Sequence, residues 1–171
     1  RIGFGFGTSD FGFSVKSLTC QRIGPILYKG GTKEGEMEID SLTEQAQTAL
    51  SEAQIKALQH HHQEVDVEHL LLSLLEQDKG LATALFNKAE INVEDLKKLL
   101  LEELDSRPKV TGPSGVPDQV YGTGRLRLLL AQARKEAQNL GDEFVSVEHL
   151  LLSMTDDTGS TGRMLRELGV T

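Results

Sequence analysis

The feature that most constrains this chain is an internal repeat. The stretch VDVEHLLLSLL at 65–75 returns as VSVEHLLLSMT at 145–155, with eight of eleven aligned positions identical. Upstream, further residues match at the same offset of eighty: Thr43, Leu50, Ala53 and Ala57 pair with Thr123, Leu130, Ala133 and Ala137. Two copies are too few for an open solenoid, which needs three or more repeats to cover its apolar faces. The sequence therefore predicts two copies packed as one closed, pseudo-twofold domain.

The amino-acid composition indicates which kinds of molecule this chain can bind and where it is located. The chain has 171 residues, of which 38% are hydrophobic and 26% charged, the balance of a soluble domain with one core. Its formal net charge of −8 argues against nucleic acid, which requires clustered basic residues. No apolar run approaches the roughly 18 residues of a membrane span. Cys20 is the only cysteine, so no internal disulfide can form, and we expect a cytoplasmic protein.

The first 36 residues differ from the rest of the chain. They hold four of the six Phe and eight of the seventeen Gly, without helical periodicity. Such a segment orders poorly, because glycine has a high backbone entropy to lose. We expect residues 1–36 to be a disordered leader foreign to the natural protein, whose own start is then Met37. The glycines at 3, 5 and 7 lack the flanking strand and helix of a phosphate loop.

From Ser41 onward, apolar residues recur at helical spacing. Ser41 and Glu44 form the S-x-x-E pattern of a capping box, which predicts a first helix ending at about Gln59. Asp66 and Ser146 are the predicted N-caps of the two repeated helices. Each copy is predicted to contain four helices.

The fold class predicted is all-α, with two tandem four-helix repeats. The first repeat spans about 41–105 and the second about 124–171, where the chain ends before the second copy has reached its fourth helix. Between them, about 106–123, lie three of the four prolines and several glycines, which neither a helix nor a central strand accepts. This segment is the predicted linker.

Candidate chemistry is sparse. Three consecutive histidines at 60–62 point about 100° apart on a helix and do not converge on one metal ion, so a solvated helix end is favoured. His69 and His149 each follow a Glu at a helix start, where capping or packing is more typical than catalysis. The stretch TDDTGSTG at 155–162 lacks the ligand pattern of a calcium loop and predicts a helix-joining turn. No nucleotide loop or nucleophile motif occurs, so no catalytic residue, metal site or enzyme activity is predicted.

Four stretches carry a family resemblance: LTEQAQTALSEAQIKAL, EVDVEHLLLSLLEQ, the RPKV…QVY connector and AQNLGDEFVSVEHLLLSM. Together they resemble the amino-terminal domain of Clp ATPases, most closely that of the ClpB disaggregase. The likeness covers nearly all of 37–171 and includes both copies, their order and the connector. The ClpA and ClpC branches carry the double repeat too. The leader, the absent last helix and the missing ATPase modules depart from the family pattern.

The resemblance implies a function. In this family the domain sits on a hexameric AAA+ ring and binds unfolded or aggregated polypeptide through a hydrophobic groove. Matched residue by residue, the groove positions of the family correspond to Thr43, Asp142 and Glu148 in this chain. Local roles remain open, because Thr43 is also placed to support a helix start and Glu148 to complement a helix dipole.

The resemblance also sets expectations for partners and cofactors. No cofactor is expected in this chain, since ATP and magnesium belong to ATPase modules outside it. The isolated domain is expected to be monomeric and its parent hexameric, without nucleic-acid or membrane partners. The alternative function is adaptor docking, in a ClpA- or ClpC-type unfoldase or a stand-alone Clp-repeat protein.

Overall fold

A computed structural model of the chain describes residues 27–28, 39–78, 80–110 and 120–170. These residues form seven α-helices, three short β-strands and one 3-10 turn at Ile39–Ser41. The helices are α1 (Glu44–Gln59), α2 (Val67–Glu76), α3 (Leu81–Lys88), α4 (Val93–Ser106), α5 (Gly124–Leu140), α6 (Val147–Thr155) and α7 (Ser160–Glu167). The strands are β1 (Leu27–Tyr28), β2 (Glu64–Val65) and β3 (Tyr121–Gly122). The all-α prediction is confirmed.

The first helix of each copy begins at a threonine cap. The Thr43 hydroxyl accepts a hydrogen bond from the Ala46 N–H at 3.4 Å, and Thr123 does the same for Leu126 at 3.0 Å. Each hydroxyl satisfies a backbone N–H that has no partner within its helix. The capping box predicted from Ser41 is wrong, because Ser41 lies in the 3-10 turn.

The repeated helices α2 and α6 form the centre of the domain. Helix α1 packs on α2 and α5 packs on α6, while α7 reaches across to α2 and α3 to α6. Helix α4 covers another face of α2 through Leu96, Leu100 and Leu104, all fully buried. No counterpart of α4 occurs within 120–170. Leu152 on α6 is 47% exposed, whereas the equivalent Leu72 on α2 is 1% exposed.

The two copies exchange short strands. Strand β2 pairs in parallel with β3, which directly precedes α5, and the Thr123 N–H donates to the Val65 carbonyl at 3.0 Å. At the equivalent place in the other copy, Leu42 forms a parallel bridge with Val145, and the Thr43 N–H donates to the Val145 carbonyl at 2.9 Å. The segment before the first helix of each copy therefore pairs with the segment before the second helix of the other.

Two strands lie where the sequence predicts none. Strand β3 falls within the predicted linker, yet it is the central strand of a three-stranded sheet with the order β1-β3-β2. Two residues are enough for this pairing, so the prolines further upstream do not prevent it. Strand β1 lies in the leader and pairs in parallel with β3. The disordered leader stays a prediction, because all residues of 1–36 other than Leu27 and Tyr28 lie outside the described chain.

Two helix ends in the first copy carry a positive φ at residues that disfavour it. His61 and Glu90 have φ of 59° and 60°, and the equivalent positions in the second copy are Gly141 and Gly169, with φ of 81° and 86°. Glycine is preferred in the left-handed region because it has no Cβ to clash. At both positions the second copy therefore has glycine, the residue that this backbone geometry favours.

We expect Glu90→Gly to raise the free energy of unfolding by about 0.5 to 1 kcal/mol, because it removes the left-handed strain at the end of α3. Urea denaturation followed by circular dichroism measures the change. The matched control is Gly169→Ala, which should lower stability because it introduces that strain into the other copy. A loss of stability in the Glu90→Gly protein would show that the glutamate side chain has a compensating role.

Candidate functional site

Each copy contains a loop-to-helix junction that leads into its central helix. The first junction comprises residues 62–68 with Thr123, and the second comprises residues 142–148 with Thr43. In both junctions, a histidine in the first turn of the helix caps the helix N-terminus. His69 Nδ1 accepts from the Asp66 N–H at 3.1 Å, and His149 Nδ1 accepts from the Ser146 N–H at 3.1 Å. The predicted N-caps and the capping interpretation of the repeated histidines are confirmed.

The first junction is closed by two arginines. Glu68 is completely buried, and its carboxylate accepts from Arg125 Nη2 and Arg107 Nη2, each at 2.6 Å. Asp66 accepts from the Nη1 atoms of the same arginines, at 3.1 and 3.0 Å. Buried carboxylates require such partners, because desolvation of an unpaired charge is costly. The cluster joins the first copy to the linker and to the second copy.

Further side chains complete this cluster. Asp157, which precedes α7, holds Arg125 through Nε and Nη2 at 3.1 and 2.9 Å, and the Ser160 hydroxyl donates to Glu68. Burial acts to raise the pKa of Glu68, but the hydrogen bonds from Ser160 and Arg125 and the two positive charges outweigh it. The pKa of Glu68 falls to about 2. Asp66 and Glu68 of the first junction are therefore both engaged by arginines.

The second junction is open. Glu148, the equivalent of Glu68, is exposed, as is Asp142. Between them Phe144 is 47% exposed, and Leu152 lies one helical turn beyond Glu148. Acidic groups and apolar side chains thus share one accessible surface. That combination suits an extended polypeptide, whose amides and side chains need both kinds of contact.

The structure places the three predicted binding residues around this second junction. Thr43 lies beside it because its N–H bonds the Val145 carbonyl, while its hydroxyl caps α1. Asp142 Oδ2 lies 3.1 Å from the buried His149 Nε2, although the angle is not that of a hydrogen bond. Glu148 is in the first turn of α6, where the helix dipole also favours a negative charge. Thr43 and Glu148 therefore have local roles at helix starts, and both are also accessible at the surface.

The histidine run differs from its prediction. His62 is buried, not solvated, and its Nδ1 lies 2.9 Å from His69 Nε2. His60 stacks on His62 with ring centroids 5.7 Å apart. Among the residues that the structure describes, no three His, Cys, Asp or Glu side chains are placed to hold a metal ion. The turn at 155–162 joins α6 to α7, as predicted, with Asp157 accepting from the backbone of Gly159.

Sequence reasoning missed the arginines that close the first junction. A signal was available, because Arg125 stands where the first copy has Gln45, the second residue of the first helix of each copy. Arg107 gave no signal, because the second copy has no equivalent of the linker that carries it.

Comparison with known proteins identifies the family. The family described as the Clp repeat N-terminal domain matches residues 41–168. The chain belongs to this family, and each of its two junctions lies within one copy of the repeat, between the first and second helices of that copy. In the described part of the chain, no helix has the length and apolarity needed to cross a membrane.

The relatives are ATPase domains and chaperones. The chain is 39% identical over 135 residues to the chaperone protein ClpB of Bacillus anthracis, covering 79% of this chain and 16% of that protein. The N-terminal domain of the ClpV1 ATPase from E. coli is 26% identical with a TM-score of 0.65, covering 78% of this chain and 87% of that one. A ClpV N-domain solved in complex with a VipB peptide has the same fold, with a TM-score of 0.66, 20% identity and coverage of 88% and 89%. The chain thus spans about a sixth of the ClpB relative's length.

Proposed function

We infer that this chain is the polypeptide-binding N-terminal domain of a ClpB-type AAA+ disaggregase, which engages exposed hydrophobic segments of unfolded or aggregated proteins. The observation that carries this is the contrast between the junctions: Glu68 is buried under two arginines, whereas Glu148 is open beside Phe144 and Leu152. The complex of a ClpV N-domain with a VipB peptide supports peptide binding by this fold. The binding residues proposed are Thr43, Asp142 and Glu148.

The remaining functions of the whole protein are proposed to lie outside this chain. Its ClpB relatives are much longer, and the ATP and magnesium sites belong to the additional modules in this proposal. The domain itself is proposed to be non-catalytic and monomeric, carried on a hexameric parent in the cytoplasm. Binding of nucleic acid is not proposed, because the net charge of −8 repels phosphates.

Adaptor docking is the second candidate function, in the manner of a ClpA- or ClpC-type unfoldase or a stand-alone Clp-repeat protein. The similarity to the N-terminal domain of ClpV1, which is from another branch of the family, supports this alternative. Competition separates the two proposals. If an unfolded peptide binds at Glu148, a folded partner that uses the same surface must compete with it, and one that docks elsewhere must not.

We expect Glu148→Ala to weaken binding of an extended, apolar-rich peptide by about 1 kcal/mol, or roughly fivefold, the usual scale of a charge-assisted hydrogen bond. Fluorescence anisotropy with a labelled peptide measures the affinity. Binding itself should be weak, because an unstructured peptide loses conformational entropy on docking.

Glu143→Ala is the matched control, since Glu143 is exposed on the same loop and carries the same charge. It should leave affinity nearly unchanged. Equal losses in the two variants would mean that only the general negative field attracts the peptide, and no loss at Glu148 would assign that residue to helix capping alone.

A further inference from the structure

The histidine pair of the first junction has no role in the proposed function. Asp66 N–H donates to His69 Nδ1, so His69 carries its proton on Nε2. That Nε2–H then donates to His62 Nδ1, 2.9 Å away. Both Nδ1 atoms are therefore acceptors, and the two rings form one hydrogen-bonded chain that ends at His62.

A further proton has no free nitrogen to occupy in this arrangement. A proton on His62 Nδ1 would face the N–H of His69 Nε2, 2.9 Å away. A proton on His69 Nδ1 would face the Asp66 N–H, 3.1 Å away. Burial lowers the pKa of His69 to about 3, and burial together with neighbouring positive charges also lowers the pKa of His62. The closed geometry thus requires both rings to be neutral.

Residues 107–110, which we call the strap, cover the His62 side of this pair. The Val110 N–H donates to the His61 carbonyl at 2.8 Å, and Arg107 is anchored on Asp66 and Glu68. Between the strap and residues 62–64 lies an open cleft of about 430 Å³. His62 is one of the residues that line this cleft.

The charged and titratable groups around the pair come from every element packed against it. They are His60 from the end of α1, Glu64 from β2, Asp66 and Glu68 from the start of α2, Asp105 from α4, and Arg107 and Lys109 from the strap. Asp66 and Glu68 are paired with Arg107, and Asp105 is paired with Lys109 at 3.0 Å. The carboxylates of Asp66, Glu68 and Asp105 are thus paired elsewhere, and a proton on His62 meets the positive charges of Arg107 and Lys109.

We propose that His62 and His69 form an acid-sensitive latch, in which protonation of His62 separates the two rings and releases the Val110 end of the strap. The Arg107 end stays in place over the same pH range, because its partner Glu68 remains ionised until the pH approaches its pKa of about 2. Release is therefore local and leaves the ion cluster of the first junction intact. The latch is independent of peptide binding at the second junction.

The second copy provides the control. The position equivalent to His62 is Asp142, whose Oδ2 lies 3.1 Å from His149 Nε2. An aspartate at this position has no ring nitrogen, so the second junction has no pair of imidazoles whose N–H groups could come face to face. His62→Asp therefore gives the first junction the His–Asp pair of the second and should abolish the latch.

The test is a pH titration of the whole ¹⁵N-labelled chain by NMR between pH 7.5 and 4.5. His62 should titrate below its usual pKa of 6.5, and the Val110 amide signal should follow the same curve. Above the midpoint, exchange of the Val110 amide relative to its intrinsic rate should rise about tenfold for each pH unit by which the pH falls, and it should level off below the midpoint. The Thr43 amide, which donates to the Val145 carbonyl at the second junction, should stay protected. His62→Asp should remove the Val110 response.

Three results would overturn the latch. They are a Val110 amide that stays protected while His62 titrates, a Thr43 amide that is released at the same pH, and a His62→Asp protein that releases the strap as the parent chain does. If His62→Asp fails to fold, the comparison of Val110 with Thr43 in the unaltered chain decides the question alone.

Discussion

Leu72→Ala should lower the free energy of unfolding by about 2 to 5 kcal/mol, whereas Leu152→Ala should lower it by less than about 1 kcal/mol. The two leucines occupy the same position of the repeat, so the chemical change and the local helix are matched. Leu72 is 1% exposed and leaves a cavity when truncated, while Leu152 is 47% exposed and leaves none. Urea denaturation of the two variants measures the difference directly.

The same pair separates stability from binding. Leu152→Ala should weaken binding of the apolar-rich peptide, because Leu152 is part of the accessible surface beside Glu148. Leu72→Ala, measured at a temperature where it remains folded, should bind the peptide normally. Equal stability losses would show that the surface of α6 is packed, and the open junction would no longer account for the function.

Glu68→Gln should lower the free energy of unfolding by about 3 kcal/mol or more, since it leaves Arg107 and Arg125 partly buried with one carboxylate fewer. Glu148→Gln should change it by less than about 0.5 kcal/mol, because Glu148 is exposed. Urea is the suitable denaturant, because it adds no ions that screen the cluster. Similar effects at the two positions would mean that the ion cluster does not hold the copies together.

The Glu68 effect should depend on pH in a defined direction. The pKa of Glu68 is lowered from 4.5 to about 2 in the folded chain, so its contribution is complete above about pH 4.5 and is lost as the pH falls toward 2. The stability difference between the parent chain and Glu68→Gln should therefore shrink over that range. A difference that stays constant down to pH 2 would assign the effect of the substitution to packing.

Much of the fold was predictable because it depends on apolar periodicity and on capping chemistry. The repeat predicted two equivalent helical units, and Asp66 and Ser146 predicted where the two repeated helices begin. The cap at Ser41 was mispredicted because Thr43, two residues later, makes a competing and better-placed cap. The strands escaped prediction because a two-residue pairing leaves no period in the sequence.

The candidate site was predictable only in part. Family resemblance pointed to Thr43, Asp142 and Glu148, which the structure places around one junction. What separates that junction from its equivalent is contact between residues 39 or more positions apart, from Glu68 to Arg107 and Arg125. Burial of His62 likewise depends on α2 and the strap, so the run of three histidines read alone indicated only a helix end.

The exchanged strand pairs have a consequence for how such a domain can be divided. Each copy lends its leading segment to the other, through Leu42 on Val145 and β3 on β2. A single copy on its own would lack the strand that closes its junction and would expose the edge that its partner now fills. Two identical single-copy chains, however, could supply the missing strands to each other as a symmetric dimer. The domain is thus equivalent to a strand-exchanged homodimer whose two subunits have been fused into one chain.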